Sequence, residues 1–72
     1  MLNSNINIKV AHKIKLLRHQ QGLTQEQLAG LSGVEYKHIQ RLEGKTPPAV
    51  KITTLEKLAK GFKITLSSFF NF

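Results

Sequence analysis

The chain contains no cysteine and no aspartate, and its acidic residues are four glutamates. The absence of cysteine excludes disulfides and thiolate metal sites, and it leads us to expect a cytoplasmic protein. So few carboxylates leave little material for a pair of catalytic acids or a Ser-His-Asp arrangement. We therefore expect that the protein is not an enzyme and that it holds no metal and no cofactor.

Long apolar runs are also missing. No stretch approaches the roughly 20 apolar residues that a membrane-spanning helix needs. The start of the chain, "MLNSNINIKV", lacks the basic segment and apolar run of a signal peptide, so we expect no export. The three histidines, His12, His19 and His38, have no carboxylate near them in the sequence, and we interpret them as solvated or packing residues.

Basic residues are the abundant class. Eleven lysines and arginines give a formal net charge of +7 and a pI near 10.2. This balance favours a polyanionic partner, either nucleic acid or an acidic membrane surface. The membrane alternative is disfavoured because Ile14 and Leu17, in the basic first helix, are needed in the core. With 72 residues the chain has room for one small domain, which we place at residues 8–72 after an N-terminal arm of residues 1–7.

Helical periodicity dominates the chain and predicts an all-α fold of five helices. In the first helix, Val10, Ala11, Ile14 and Leu17 form a buried stripe, and Gly22 ends the helix in a left-handed conformation. Alternation typical of a strand occurs only in the short "NINI" near the start.

Two further helices follow within "LTQEQLAGLSGVEYKHIQRLE". Thr24 and Gln27 have the spacing of a capping box, which predicts a second helix from about Gln25 to Gly33. A third helix is predicted from Glu35 or Tyr36 to Gly44.

The rest of the chain predicts a loop and two more helices. "GKTPPAVKI" is interpreted as a loop because of its two prolines. Thr53 and Glu56 have capping-box spacing and predict the start of a fourth helix, and Thr65 is a candidate cap for a short fifth one.

Two helices joined by a tight glycine turn are the signature of a helix-turn-helix, whose second helix can enter a DNA major groove. Over about residues 8–70 the chain resembles the phage-repressor and Cro-type (XRE-like) helix-turn-helix family. The residues that carry the resemblance are Arg18, "GLTQ" at 22–25, Leu28, Ala29, Gly33, Val34, Ile39, Leu42, Glu43, "TLEKLAK" and "ITLSSFF".

The resemblance implies a lambda-repressor-like fold and a sequence-specific transcription regulator of the repressor or restriction-modification controller type, with double-stranded DNA as its partner. It implies base-reading positions on the third helix and phosphate contacts around it. The base-reading positions are Glu35, Tyr36, Lys37 and Arg41, and the phosphate-binding positions are Gln25, Lys45 and Lys51. It also implies an ion pair between Arg18 and Glu43. Helical geometry independently places Lys37 and Arg41 opposite the core residues Ile39 and Leu42.

Several positions depart from the family pattern, among them Gly30, which replaces a usual helix former. Glu35 stands where the family has a serine or threonine cap, and glutamate caps a helix less well. Gly61 and Lys63 exchange the alanine and glycine that the family has near the end of the fourth helix.

The C-terminal "SSFFNF" holds three aromatic residues, which is more than one small domain readily buries. We predict that Phe69, Phe70 and Phe72 form a homodimer interface, with closure of the core as the alternative. A second function remains open, in which the protein is the antitoxin of a toxin–antitoxin pair and binds a toxin protein as well as operator DNA.

Overall fold

The computed structural model describes residues 5–72, which form five α-helices and no β-strand within that range. The helices are α1 (Ile6–Gln20), α2 (Gln25–Ser32), α3 (Tyr36–Leu42), α4 (Ile52–Phe62) and α5 (Leu66–Phe69). The predicted all-α, five-helix fold is confirmed.

Helix α1 begins inside the segment that was predicted to be an arm. The side chain of Asn5 accepts hydrogen bonds from the backbone N–H groups of Asn7 at 3.0 Å and Ile8 at 3.4 Å. Asparagine is among the best N-cap residues, so the strand-like alternation of residues 5–8 falls in the first helical turn. Residues 1–4 of the predicted arm lie outside the described residues.

The connection from α1 to α2 follows the sequence signals closely. Gly22 has a φ of +66°, and the backbone N–H of Leu23 donates to the carbonyl of Arg18 at 2.9 Å, as in a Schellman motif. Thr24 and Gln27 then form the predicted capping box. The N–H of Gln27 donates to Thr24 Oγ1 at 3.0 Å, and the N–H of Thr24 donates to Gln27 Oε1 at 2.8 Å.

The break between α2 and α3 is a left-handed turn at Gly33. Its φ is +78°, and its N–H donates to the carbonyl of Ala29 at 2.9 Å. Glycine adopts this conformation without the steric cost that a Cβ imposes. The next residue, Val34, is buried and ties the turn to the core.

Helix α4 starts earlier than the sequence indicated, so the predicted Thr53–Glu56 capping box is wrong. Lys51 is the N-cap, and its carbonyl accepts from the N–H groups of Thr54 at 3.0 Å and Leu55 at 3.1 Å. Thr53 therefore lies inside the first turn, where its side chain cannot act as the cap. A lysine side chain has no acceptor, so α4 begins without a side-chain cap.

One apolar core joins all five helices. Phe69 of α5 is fully buried, and its ring centroid lies 6.5 Å from that of Phe62 in α4. The predicted role of Phe69 in a dimer interface is therefore wrong, because the short α5 turns this ring into the core and leaves Phe70 and Phe72 outside. The core consists of Val10, Ile14, Leu17, Leu28, Val34, Ile39, Leu42, Leu55, Leu58, Ala59, Phe62 and Phe69.

The two departures near the end of α4 have separate structural settings. A Cβ atom on Gly61 would lie 2.8 Å from Ser32 Cβ and 3.0 Å from Ser32 Cα, so this glycine allows α4 to approach the end of α2. Lys63 adopts the left-handed conformation, with a φ of +61°, where the family has glycine. A residue with a Cβ is strained in this conformation.

Candidate nucleic-acid interface

Helix α3 has one buried side and one exposed side. Ile39 and Leu42 are buried, with 0% and 1% of their surface exposed. Successive helical residues are rotated by about 100°, so the direction opposite these two falls closest to Lys37. Gln40 and Arg41 lie about 50° to either side of that outward direction, and Tyr36 lies about 90° from it. All four are exposed, so α3 presents a continuous polar and basic face.

Gln40 also belongs to this face, although neither the sequence pattern nor the family resemblance assigns it to the site. Its Nε2 donates a hydrogen bond to the hydroxyl oxygen of Tyr36 at 2.9 Å. Residues four apart are neighbours on a helix surface, so the spacing of Tyr36 and Gln40 was a signal that could have identified the pair.

The far end of α3 is fixed by an ion pair between α1 and the residue that follows α3. Arg18 Nε donates to Glu43 Oε2 at 2.9 Å, and a terminal guanidinium nitrogen, Nη2, donates to Glu43 Oε1 at 2.8 Å. The two side chains are 11% and 3% exposed, so the pair is largely screened from water. The hydrogen bond to Glu43 raises the pKa of Arg18, which keeps the guanidinium charged. The other terminal nitrogen, Nη1, donates to the carbonyl of Leu23 at 2.9 Å, which ties the pair to the connection before α2.

Gln25, at the start of α2, joins the same network. Its Nε2 donates to Glu43 Oε1 at 3.2 Å, and the residue is half-buried. The structure thus positions Gln25 between the buried ion pair and the surface next to the start of α3. An open groove at this corner is lined by Tyr36 and by the residues that lead into α2.

The remaining predicted DNA contacts lie at the two flanks of α3. Glu35 is the exposed N-cap of α3, and its side chain makes no capping hydrogen bond. Lys45 and Lys51 are exposed in the loop that follows α3. Within residues 5–72 the one ion pair is that of Arg18 and Glu43, so these two lysines carry uncompensated charge.

A second exposed region lies at the end of the chain. Phe70 and Phe72 are 37% and 55% exposed, and their rings meet edge to face at 6.1 Å. Lys13 of α1 donates from Nζ to the backbone carbonyl of Asn71 at 2.9 Å and holds this segment beside α1. A groove is lined there by Lys9, His12, Lys13, Leu16, Asn71 and Phe72.

Residues 5–72 show neither a metal site nor a membrane-spanning helix. No group of three or more histidine and acidic side chains there is placed to hold a metal ion. None of the helices between residues 5 and 72 has the length and apolar character to cross a membrane.

Comparison with known proteins gives a consistent result. A model of the helix-turn-helix family matches residues 14–69. The HTH-type transcriptional regulator PuuR of Escherichia coli strain K12 is 42% identical over 60 residues, which cover 82% of this chain and 31% of that protein. PuuR of Shigella flexneri matches to the same extent. The chain thus spans about a third of the length of these curated relatives.

Two solved structures are similar over nearly the whole chain. The restriction-modification controller protein C.Esp1396I superposes with a TM-score of 0.83 at 32% identity, covering 94% of this chain and 87% of that one. The controller protein C.AhdI from Aeromonas hydrophila also gives a TM-score of 0.83, at 28% identity, covering 93% of this chain and all of that one.

Proposed function

The chain belongs to the helix-turn-helix family, and from this premise we propose that it is a sequence-specific DNA-binding transcription regulator. Its α3 lies in the major groove and reads base edges. The observation that carries this proposal is the exposed face of α3, where Lys37, Gln40 and Arg41 project away from two buried anchors and Tyr36 lies at the edge. The formal charge of +7 supplies the attraction to phosphates that DNA binding requires.

The likeness to C.Esp1396I and C.AhdI supports a role as a small regulator of the controller type. Those chains are matched over 87% and 100% of their length, so the resemblance extends beyond the two helices of the motif. The antitoxin alternative has no comparable support among the residues described.

Within this function, the residues of the basic surface have two different roles. Lys37 and Arg41 present N–H donors on the outward face of α3, and arginine can donate to both O6 and N7 of a guanine. Glu35, an acceptor at the leading end of α3, fits a cytosine amino group. Lys45 and Lys51, in the loop, contact phosphates, as does Gln25 at the start of α2.

The experiment that tests this assignment starts from a site selected out of random duplex DNA. Arg41→Ala should weaken the selected site by about 1–3 kcal/mol and relax the preference at one position. Lys51→Ala should weaken selected and scrambled DNA alike and reduce the salt slope by about one unit. Titrations at several salt concentrations measure both effects. Equal weakening of the two DNAs by Arg41→Ala would make Arg41 a phosphate contact, and failure to select any site would refute the function.

We also propose that the protein acts as a homodimer through Phe70 and Phe72. Both rings are exposed, and Phe72 lines the groove beside Leu16, which is itself 51% exposed. A two-fold dimer would place two α3 helices on half-sites whose centres lie roughly 10 bp apart.

Sedimentation tests the homodimer. Phe72→Asp should shift the mass toward that of the monomer, because a carboxylate in an apolar interface is costly to desolvate. Ile52→Asp is the matched control, since Ile52 is 62% exposed on the first turn of α4 and does not line the groove beside Phe72. A wild-type protein that is monomeric both free and on DNA at micromolar concentration would contradict the proposal.

A further inference from the structure

We propose that Gln40 is a specificity-determining residue that reads an adenine, and that Tyr36 is the positioning residue that holds its amide. The inference rests on the proposed function and adds to it a base identity and a residue that the family resemblance did not supply. It starts from the hydrogen bond between Gln40 Nε2 and the Tyr36 hydroxyl oxygen.

The location of Gln40 on α3 is suited to base contact. Gln40 and Arg41 are both about 50° from the outward direction of the helix, on opposite sides of Lys37. A docking of α3 in which Lys37 points to the floor of the groove therefore brings Gln40 and Arg41 to base edges on either side of it. Gln40 is exposed, and within residues 5–72 its one side-chain hydrogen bond is that to Tyr36, so its carbonyl oxygen and second N–H are available to a partner.

The chemistry of the amide selects the base. A glutamine amide has a carbonyl oxygen and two N–H donors, and Tyr36 takes one of these donors. The carbonyl oxygen and the second N–H remain. Adenine is the base that presents one donor, N6–H, and one acceptor, N7, side by side in the major groove. Lys37 and Arg41 carry donors alone and match guanine instead, so Gln40 adds a base identity that these two cannot supply.

The hydrogen bond to Tyr36 lowers the entropy cost of fixing the Gln40 side chain against a base. A free glutamine side chain has three rotatable bonds, and fixing it on DNA costs conformational entropy. Tyrosine has only two χ angles, and its ring stands on the same helical row four residues before Gln40. Because the amide is already fixed to the Tyr36 oxygen, part of this cost is met before the DNA is bound.

Selection from random duplex DNA with wild type and Gln40→Glu tests the base assignment. Glutamate has nearly the same shape but only accepts hydrogen bonds, so it matches the amino group of cytosine rather than adenine. We expect one position of the selected site to change from adenine to cytosine and the others to remain. In titrations of the wild type, replacing that adenine should weaken binding by roughly 5- to 150-fold.

Gln20→Glu is the matched control for the added charge, because Gln20 is an exposed glutamine at the end of α1. It should lower affinity for all DNAs slightly and leave the selected sequence unchanged. Unaltered selection by both Gln40→Glu and Gln40→Ala, at a site that wild type does select, would overturn the adenine assignment. Failure of the wild type to select any site would instead refute the proposed function.

A double-mutant cycle tests the positioning role of Tyr36. Tyr36→Phe removes the oxygen that accepts from Gln40 and keeps the ring. We expect it to reduce discrimination at the adenine several-fold, and we expect no further loss at that position when Gln40 is already alanine. An equal loss at that position in both backgrounds would mean that Tyr36 acts on the base directly, and the positioning role would be rejected. If Tyr36→Phe also reduces discrimination at a second position of the site, Tyr36 makes a separate contact there. The positioning role is still decided by the double-mutant cycle at the adenine.

Discussion

Helix α2 and helix α3 form one motif, yet they are specified in different ways. Helix α2 begins at a complete capping box of Thr24 and Gln27 and ends at a glycine, Gly33, in the left-handed conformation. Helix α3 begins at Glu35, whose side chain makes no capping bond, and is fixed at its other end by buried apolar residues and by Glu43. The limits of α2 are thus set by residues close to it in sequence, and the position of α3 is set by tertiary contacts.

This difference has a consequence for where a mutation acts. Removal of a local signal at α2 costs the energy of one cap, about 1 kcal/mol. Removal of the tertiary anchor of α3 leaves a charge in a buried position, which costs several times more.

The largest expected effect comes from breaking that anchor. Arg18→Ala should lower the free energy of unfolding by about 3 kcal/mol, because it leaves the carboxylate of Glu43, 3% exposed, without its partner. Chemical denaturation measures the loss. The double variant Arg18→Ala/Glu43→Ala should recover part of it, and Lys15→Ala, an exposed position on the same helix, should change stability by less than about 0.5 kcal/mol. Strictly additive losses would show that the two residues are not coupled.

The second effect compares the starts of the two helices directly. Thr24→Ala should cost about 1 kcal/mol, since it removes the hydroxyl oxygen that accepts from the N–H of Gln27. Glu35→Ala should change stability by less than about 0.5 kcal/mol, because no capping bond is lost. Thermal unfolding of both variants provides the measurement. Equal losses would remove the distinction between the two helix starts.

A smaller effect should come from giving α3 the cap that it lacks. Glu35→Ser places a good N-cap side chain at a residue whose backbone is already extended, with φ −59° and ψ 141°. We expect stability to rise by about 0.5–1 kcal/mol, measured without DNA. A loss of stability would indicate that Glu35 makes a contribution to α3 other than capping.

The smallest effect concerns the end of α4, which lacks the glycine that ends α2. Lys63→Gly should raise stability by about 0.5 kcal/mol, because relief of the left-handed strain outweighs the added freedom of the unfolded chain. Denaturant midpoints of this variant and of Lys60→Gly provide the comparison. Lys60→Gly, inside α4, should lose about 1 kcal/mol.

Sequence patterns predicted the fold where local signals and core periodicity agree. The Gly22 helix end, the Thr24 capping box, the Gly33 turn and the Thr65 cap of α5 were all predicted and are all present. The Thr53–Glu56 pattern has the same spacing as the first capping box and forms none. The spacing shows which residues could form a capping box. The backbone that leaves the proline-containing loop nevertheless makes Lys51, not Thr53, the N-cap of α4.

The surface was harder to predict than the core. Phe69 was grouped with its two aromatic neighbours because all three stand together at the end of the chain. Only the position of α5 against Phe62 shows that one ring is enclosed and two are not. The family resemblance implies roles for Tyr36, Lys37 and Arg41 but none for Gln40. The four-residue spacing brings Gln40 next to Tyr36, but only the structure shows that its amide donates to the Tyr36 hydroxyl oxygen.

Because Gly61 lies so close to Ser32, the DNA binding proposed for this chain could change during evolution in two different ways. Under the proposed function, a substitution on the outward face of α3 would alter which base is favoured. A side chain at residue 61 would instead push on the backbone of Ser32, one residue before the turn that sets the angle of α3. Such a change would keep every group that is proposed to face DNA and would tilt the helix that carries them, so affinity and preferred sequence could change separately.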